Sequence, residues 1–204
     1  MLSYHNPQIW KIVGTILERI IINLETQELS FTPIRTRFDA VKSPSINLHD
    51  YLARLYKYTK CSDSCYIVAF IYIDRVLRNN PSILLTRKNI HRLVLISLLL
   101  AIKYSDDEYA DNLHYSKIGG ISLSEINSLE SEMLVLVNYN LYIDPCLYFE
   151  YYNDLIIYSQ KITQEDLVTP MEDCSEGNIR TVGSTNSLGS IRTVSSSNEM
   201  SSMQ

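Results

Sequence analysis

The stretch HRLVLISLLLAIKYSDDEY, residues 91–109, decides how this chain folds. From Leu93 to Ile102 it is apolar except for Ser97. A helix that is apolar on every side must be surrounded by other elements, so the stretch predicts the central helix of a helical domain. The run is closed by Arg92 and Lys103 and is too short to cross a bilayer, for which about 20 apolar residues are needed. A lysine at the end of so apolar a helix needs an explanation beyond burial.

Hydrophobic periodicity predicts six further helices around this one, and strand signals are nearly absent. Helix caps and breakers set their limits, among them an Asn6-Pro7 start, the N-caps Asn47 and Ser62, a Ser122 to Glu125 capping box and an exit at Gly119-Gly120. The predicted helices cover residues 7–24, 48–59, 63–79, 86–105, 111–117, 123–137 and 145–160. The predicted fold class is all-α.

A looser stretch with two prolines, TQELSFTPIRTRFDAVKSPS, separates the first helix from the others. By composition it is a connection, and we expect its Phe38 and Val41 to pack onto the helices. The chain then divides into an N-terminal helix and connection (1–42), a helical core (43–144), a C-terminal flanking helix (145–160) and a Ser/Thr-rich tail (161–204).

The end of the tail differs from the rest of the chain. Residues 175–204 contain twelve serines and threonines and no aromatic residue, a composition that cannot build a core and is typical of disorder. Within it IRTVGSTNS and IRTVSSSNE begin twelve residues apart, each with a threonine after an arginine. Thr181 and Thr193 are therefore candidate phosphorylation sites, with chance similarity in a low-complexity segment as the alternative.

Charge and composition exclude several functions. The net charge is −5, with 15 basic and 17 acidic residues in 1–160, so we predict no nucleic-acid partner. No membrane span or secretion signal is recognisable. The four cysteines, Cys61, Cys65, Cys146 and Cys174, lack zinc-site spacing and are expected to be buried free thiols. The four histidines lie in different segments and no catalytic motif occurs, so we expect no metal, no cofactor and no enzymatic activity.

Four blocks of the helical core resemble a cyclin box. They are SPSINLHDYLARLYKYTKCS, CYIVAFIYIDRVL, NIHRLVLISLLLAIKYSDDEYADN and KIGGISLSEINSLESEMLVLVNYNL, in that order between Ser43 and Tyr142. More narrowly, they are similar to the P- or U-type cyclins related to the yeast phosphate-pathway cyclin. The resemblance implies a single five-helix cyclin box with N-terminal and C-terminal flanking helices. The chain lacks the Met-Arg-Ala-Ile-Leu signature of mitotic cyclins, so recognition of their substrate-docking motif is not implied.

The resemblance also implies a role. A cyclin binds a cyclin-dependent protein kinase, pushes the kinase's mobile regulatory helix into its active position and contributes to the choice of substrate. Protein substrates or inhibitors are further expected partners, and the expected location is intracellular, in the cytoplasm, the nucleus or both. One alternative is a cyclin-fold adaptor or scaffold that does not activate a kinase. Another, a cyclin fold on DNA, is disfavoured by the acidic balance.

The resemblance assigns a kinase-binding role to four residues. Lys103 and Glu130 match the lysine and glutamate with which cyclins face the kinase, and Tyr104 and Leu134 are expected to add apolar contact around them. The residues alone leave another interpretation open, in which Lys103 snorkels from a helix end and Glu130 is merely solvated.

A second pair matches a structural feature of cyclin boxes. Arg54 in the first box helix and Asp74 in the second are expected to form a partly buried ion pair, which would stabilise the fold rather than bind a partner.

Overall fold

The computed structural model describes residues 8–27 and 32–165, with side chains up to residue 161. Within these ranges the chain forms seven α-helices and no strand, which confirms the predicted all-α class. The helices are α1 (Ile9–Thr26), α2 (Leu48–Thr59), α3 (Asp63–Asn79), α4 (Ile90–Ser105), α5 (Asn112–Gly119), α6 (Leu123–Leu136) and α7 (Pro145–Glu165).

Helix α4 lies at the centre of the fold. Every residue from Leu93 to Ile102 is buried, Ser97 included, as the unbroken apolar run predicts. Helix α3 packs along α4, and α2, α5 and α6 cover its other sides. Only the two ends of α4 therefore carry side chains that reach solvent.

Side-chain caps explain where α2, α5 and α6 start. Asn47, Asp111 and Ser122 each accept a hydrogen bond from the backbone N–H three residues further on, at 2.8, 2.8 and 3.1 Å. Ser62 precedes α3 but makes no capping bond of this kind, and its hydroxyl donates to Asp106 Oδ1 at 2.7 Å. That bond ties the α2–α3 connection to the end of α4.

Helix α4 begins four residues later than predicted, at Ile90 instead of residue 86. The cause is the side chain of Asn89, which is almost fully buried. Its Oδ1 accepts from Thr86 N at 2.8 Å and its Nδ2 donates to Leu84 O at 2.7 Å. These two bonds hold the preceding residues in a turn.

Helices α1 and α7 pack on α3 and on each other, as predicted for the flanking helices. Helix α1 begins at Ile9 with Gln8 as its N-cap, and the predicted Asn6-Pro7 start lies outside the described residues. Its Trp10 is only 8% exposed. Helix α7 continues to Glu165, past the predicted limit at residue 160 and into the segment assigned to the tail.

The α1–α2 connection packs only in part. Phe38 is fully buried, as predicted, but Val41 is 94% exposed and its predicted packing is wrong. Ala40 N donates to Lys88 O at 3.0 Å, which is the last backbone anchor before Val41. The chain turns away from the helices after this bond, so Val41 faces solvent.

The cysteines differ in exposure. Cys65 is buried, Cys61 is half-buried and Cys146 is exposed, so the prediction of a buried thiol is wrong for Cys146. Cys174 lies outside the described residues. In the part of the chain that the structure describes, no group of three or more His, Cys, Asp or Glu side chains is placed to hold a metal ion, and no helix is long and apolar enough to span a membrane.

Candidate functional site

The candidate site is an ion pair between α4 and α6. Lys103 lies in the last turn of α4, and its Nζ donates to Glu130 Oε1 in α6 at 2.6 Å. The side chains are 27% and 18% exposed, so the pair is sheltered but still reached by solvent. The fold therefore brings together the two charged residues that the sequence singled out.

A third residue, Asn112, supports this pair and was missed by the sequence analysis. Its Nδ2 donates to Glu130 Oε2 at 2.7 Å and to Asn127 Oδ1 at 2.7 Å. Because Asp111 caps α5, Asn112 is the first residue of that helix and faces α6. A place near the start of a short predicted helix is a weak signal, since nothing local shows which other helix the side chain will meet.

Apolar and aromatic residues lie close to the ion pair along α4 and α6. Tyr104 and Val135 are 53% and 55% exposed, whereas Leu134 is half-buried against the core. Tyr104 also lines a cavity of about 450 Å³, together with Tyr142 and Phe149. The structure thus places Tyr104 on an open apolar surface, while Leu134 contributes mainly to packing beneath it.

The α6–α7 connection beside this surface is held firmly by α3. Tyr72 donates to Leu141 O at 2.8 Å, and Arg75 donates to Asn140 O and to Tyr142 O at 3.2 Å. Asn80, the C-cap of α3, donates to Leu136 O at the end of α6 at 3.0 Å. Asn138 and Tyr139 adopt left-handed φ values of 56° and 54°, a region uncommon for residues other than glycine. The anchored carbonyls keep this tight exit in place, and Tyr139 projects from it with 70% exposure.

The prediction of an ion pair between Arg54 and Asp74 is wrong. Arg54 is exposed, and its Nη2 donates to Lys117 O at 3.1 Å. Asp74 is 4% exposed, and its Oδ2 accepts from Arg78 Nε at 2.6 Å and from Tyr151 OH at 2.5 Å. Arg78 lies one turn further along α3, where a side chain four residues on meets its neighbour directly. It therefore takes the place that the sequence analysis gave to Arg54.

Tyr151 brings α7 into this network. Burial raises the pKa of Tyr151, and the hydrogen bond to the Asp74 carboxylate raises it further. The phenol therefore stays protonated and donates to Asp74. The network joins α7 to α3, so its role is structural, as was expected for the pair with Arg54.

The two candidate phosphorylation sites of the tail, Thr181 and Thr193, lie outside the described residues. They stay predictions.

Comparison with known proteins defines the class. The cyclin family model matches residues 17–141, more than half of the chain, from within α1 to the connection after α6. The match includes Lys103 and Glu130. The chain therefore belongs to the cyclin family, whose members are regulatory proteins and not enzymes.

Within that family the similarity is to plant U-type and P-type cyclins. Cyclin-U4-2 of Arabidopsis thaliana is 36% identical over 154 residues, which are 73% of this chain and 70% of the relative. Cyclin-U4-1 of the same plant is 33% identical over 161 residues, 76% of this chain and 80% of the relative. Cyclin-P4-1 of Oryza sativa subsp. japonica is 39% identical over 114 residues, 56% of this chain and 54% of the relative. The predicted similarity to P- or U-type cyclins is confirmed, and the link to the yeast phosphate-pathway cyclin stays a prediction.

Proposed function

We propose that this chain binds a cyclin-dependent protein kinase through the surface around Lys103 and Glu130 and activates it. The observation that carries the proposal is the ion pair itself, which is already formed at 2.6 Å and is only partly covered. A charged pair held in place by the fold, within an apolar surface, is suited to bind a partner with a fixed arrangement of polar groups.

The pair keeps unused hydrogen-bonding capacity. An ammonium group has three N–H donors, and the one bond from Lys103 Nζ to Glu130 Oε1 leaves two for a partner. The last carbonyls of a helix have no partner within that helix and carry partial negative charge, so a lysine is favoured there. The end of a kinase's regulatory helix offers such carbonyls. Glu130, held by Lys103 and Asn112, keeps the ammonium in position.

The apolar surroundings supply the rest of the contact. Tyr104, Val135 and Tyr139 each expose more than half of their side chain near the end of α4 or along the exit of α6. When a partner covers them, water is removed from around the ion pair, which strengthens its polar contacts. Activation follows if the chain binds the active position of the regulatory helix more tightly than the inactive one. Contact with the substrate beside the kinase would then contribute to substrate choice.

Affinity capture from the source cell, with the bound kinase identified by mass spectrometry, is the first test. A phosphorylation assay with and without this chain is the second. A kinase that is captured and gains activity supports the proposal. Stable binding without a gain in activity would instead support the scaffold.

Calorimetry with paired variants tests the site. Lys103→Ala with Glu130→Ala removes charged groups from a desolvated interface, which costs roughly 2–5 kcal/mol and weakens kinase binding roughly thirtyfold to several thousandfold. A matched control is Arg92→Ala with Glu125→Ala, because this second α4–α6 ion pair has the same 2.6 Å separation and is 25% and 34% exposed. Binding within about threefold of the parent for the Lys103/Glu130 variant, less than ~1 kcal/mol, would show that the surface is misassigned.

A further inference from the structure

We propose that Thr32, in the α1–α2 connection, is a phosphorylation site for a proline-directed protein kinase, and that Lys88 helps to hold the phosphate. The inference is independent of the surface at Lys103. Thr32 lies near the start of α4, whereas Lys103 lies at its end, and an α-helix of 16 residues is about 24 Å long.

The sequence around Thr32 has the chemistry of such a site. It reads Thr32-Pro33-Ile34-Arg35, with proline directly after the hydroxyl and a cation three residues after it. Proline lacks an N–H group and disfavours helical backbone in the residue before it, so it presents the hydroxyl on extended chain. A kinase whose groove needs no donor at that position accepts proline, and a basic residue nearby adds charge recognition.

The structure leaves this segment accessible. Thr32, Pro33, Ile34 and Arg35 are all exposed and belong to no helix. Ile34 N donates to Ser82 O at 2.9 Å, which fixes the segment against the connection between α3 and α4. A kinase therefore reaches the hydroxyl without any helix having to unfold.

The segment borders a cavity of about 620 Å³ that is lined by Thr32 and by three cations, Arg35, Arg87 and Lys88. Arg87 is engaged, since its Nε donates to Glu25 at 3.1 Å. Within residues 8–27 and 32–165, neither Arg35 nor Lys88 forms an ion pair. A phosphate on Thr32 adds about −1.5 to −2 charges and three acceptor oxygens at the mouth of this cavity.

Both acids at the cavity already have hydrogen-bonding partners. Asp39 Oδ2 accepts from Thr36 N at 2.7 Å and its Oδ1 accepts from Asn89 Nδ2 at 3.3 Å, while Glu25 is paired with Arg87. Three cations and two acids line the cavity, so its lining has a net positive charge that attracts an added phosphate.

The reaction is an ordinary phosphoryl transfer from ATP. Thr32 Oγ1 attacks the γ-phosphorus, the bond from that phosphorus to the bridging oxygen breaks, and ADP leaves. The hydroxyl proton passes to the carboxylate base of the kinase. The product is a phosphothreonine that links the connection to Lys88 just before α4.

The same connection provides a matched control. Ser43 is also exposed, borders the same cavity and is followed by Pro44. The residue three positions after Ser43 is Ile46, which is apolar and half-buried. Ser43 should therefore be a much poorer acceptor than Thr32.

The first experiment incubates the full chain with a purified proline-directed kinase and Mg-ATP and maps phosphate by mass spectrometry. We expect phosphate on Thr32, lost in Thr32→Ala and retained in Ser43→Ala. Pro33→Ala should lower kcat/KM about tenfold or more, and Arg35→Ala should lower it severalfold. An unmodified Thr32, or equal rates for the Pro33→Ala variant and the parent, would overturn the assignment.

The second experiment measures what the phosphate does. One or two new ion pairs should raise the Tm of the phosphorylated chain by about 2 °C or more. Lys88→Gln should be phosphorylated at the same rate but should lose most of that rise. A Tm that is unchanged or lowered by phosphate, or a rise that Lys88→Gln leaves intact, would show that the cavity does not hold the phosphate.

Discussion

Replacing Tyr151 by phenylalanine removes the hydroxyl that donates to the buried carboxylate of Asp74 at 2.5 Å. Asp74 is 4% exposed and its Oδ1 already has no partner among the described residues, so water cannot easily replace the lost bond. A hydrogen bond to a charged group contributes about 1.5–3 kcal/mol. We therefore expect Tyr151→Phe to lower the free energy of unfolding by about 2 kcal/mol and the Tm by about 4–8 °C.

Arg78→Ala tests the other half of the network. Loss of one partner of a fully buried pair costs about 3–5 kcal/mol, but Arg78 is 46% exposed and water can partly solvate the carboxylate in its place. A loss of about 1–3 kcal/mol is expected after that allowance for solvent. The matched control is Arg54→Ala, which removes a single exposed bond to a backbone carbonyl and should cost less than about 1 kcal/mol.

Urea unfolding followed by fluorescence is a direct assay, because Trp10 is the only tryptophan of the chain and is 8% exposed on α1. Helix α1 contacts both α3 and α7, so its release reports loss of the flanking layer. An Arg54→Ala variant as unstable as Arg78→Ala would refute the reasoning. So would a Tyr151→Phe variant whose urea midpoint equals that of the parent.

Two further predictions concern His91 and Leu95, two buried residues of α4. Burial lowers the pKa of His91, so the folded state resists protonation and the unfolded state binds more protons below the ordinary pKa near 6.5. The contribution of His91 to the free energy of unfolding should be fully present above that pH and should fall as the pH drops below it, by up to about 1.4 kcal/mol per pH unit. Urea midpoints measured between pH 5 and 8 should depend less steeply on pH in His91→Gln than in the parent. A Cβ added at Gly119 would lie 2.3 Å from Leu95 Cδ2, so Gly119→Ala should cost about 1–3 kcal/mol in the same assay. A Gly119→Ala chain as stable as the parent would mean that Leu95 has room to move.

The features that the sequence predicted well are local. The caps at Asn47 and Ser122 depend on a side chain and a backbone N–H three residues apart, so a short window contains both partners. The burial of α4 is local in the same sense, because a run with no polar face has no alternative orientation.

The features that the sequence missed depend on contacts between distant residues. Asp74 has a partner one turn away in Arg78 and another, Tyr151, 77 residues away, and no pattern near Asp74 ranks these above Arg54. The late start of α4 depends on Asn89, whose buried amide competes with helical bonds.

The candidate site was predicted only in part for the same reason. Lys103 and Glu130 were chosen through a family resemblance, and their separation of 27 residues shows no local relation. The contact itself, and the support from Asn112, come from the way α5 and α6 cross the end of α4.

The position of Lys103 depends on how rigidly the apolar helix that it ends is held. Residues 93–102 of α4 are buried, so the last turn cannot shift relative to α6 without disturbing the core. Lys103 is fixed by Glu130, and Glu130 is fixed by Asn112, so two long side chains are ordered before any partner arrives. An immobilised side chain otherwise costs about 0.5–1.5 kcal/mol on binding, and a surface ordered during folding avoids most of that cost. A central helix with no polar face therefore suits a binding role, because it holds the charged group at its end in one place.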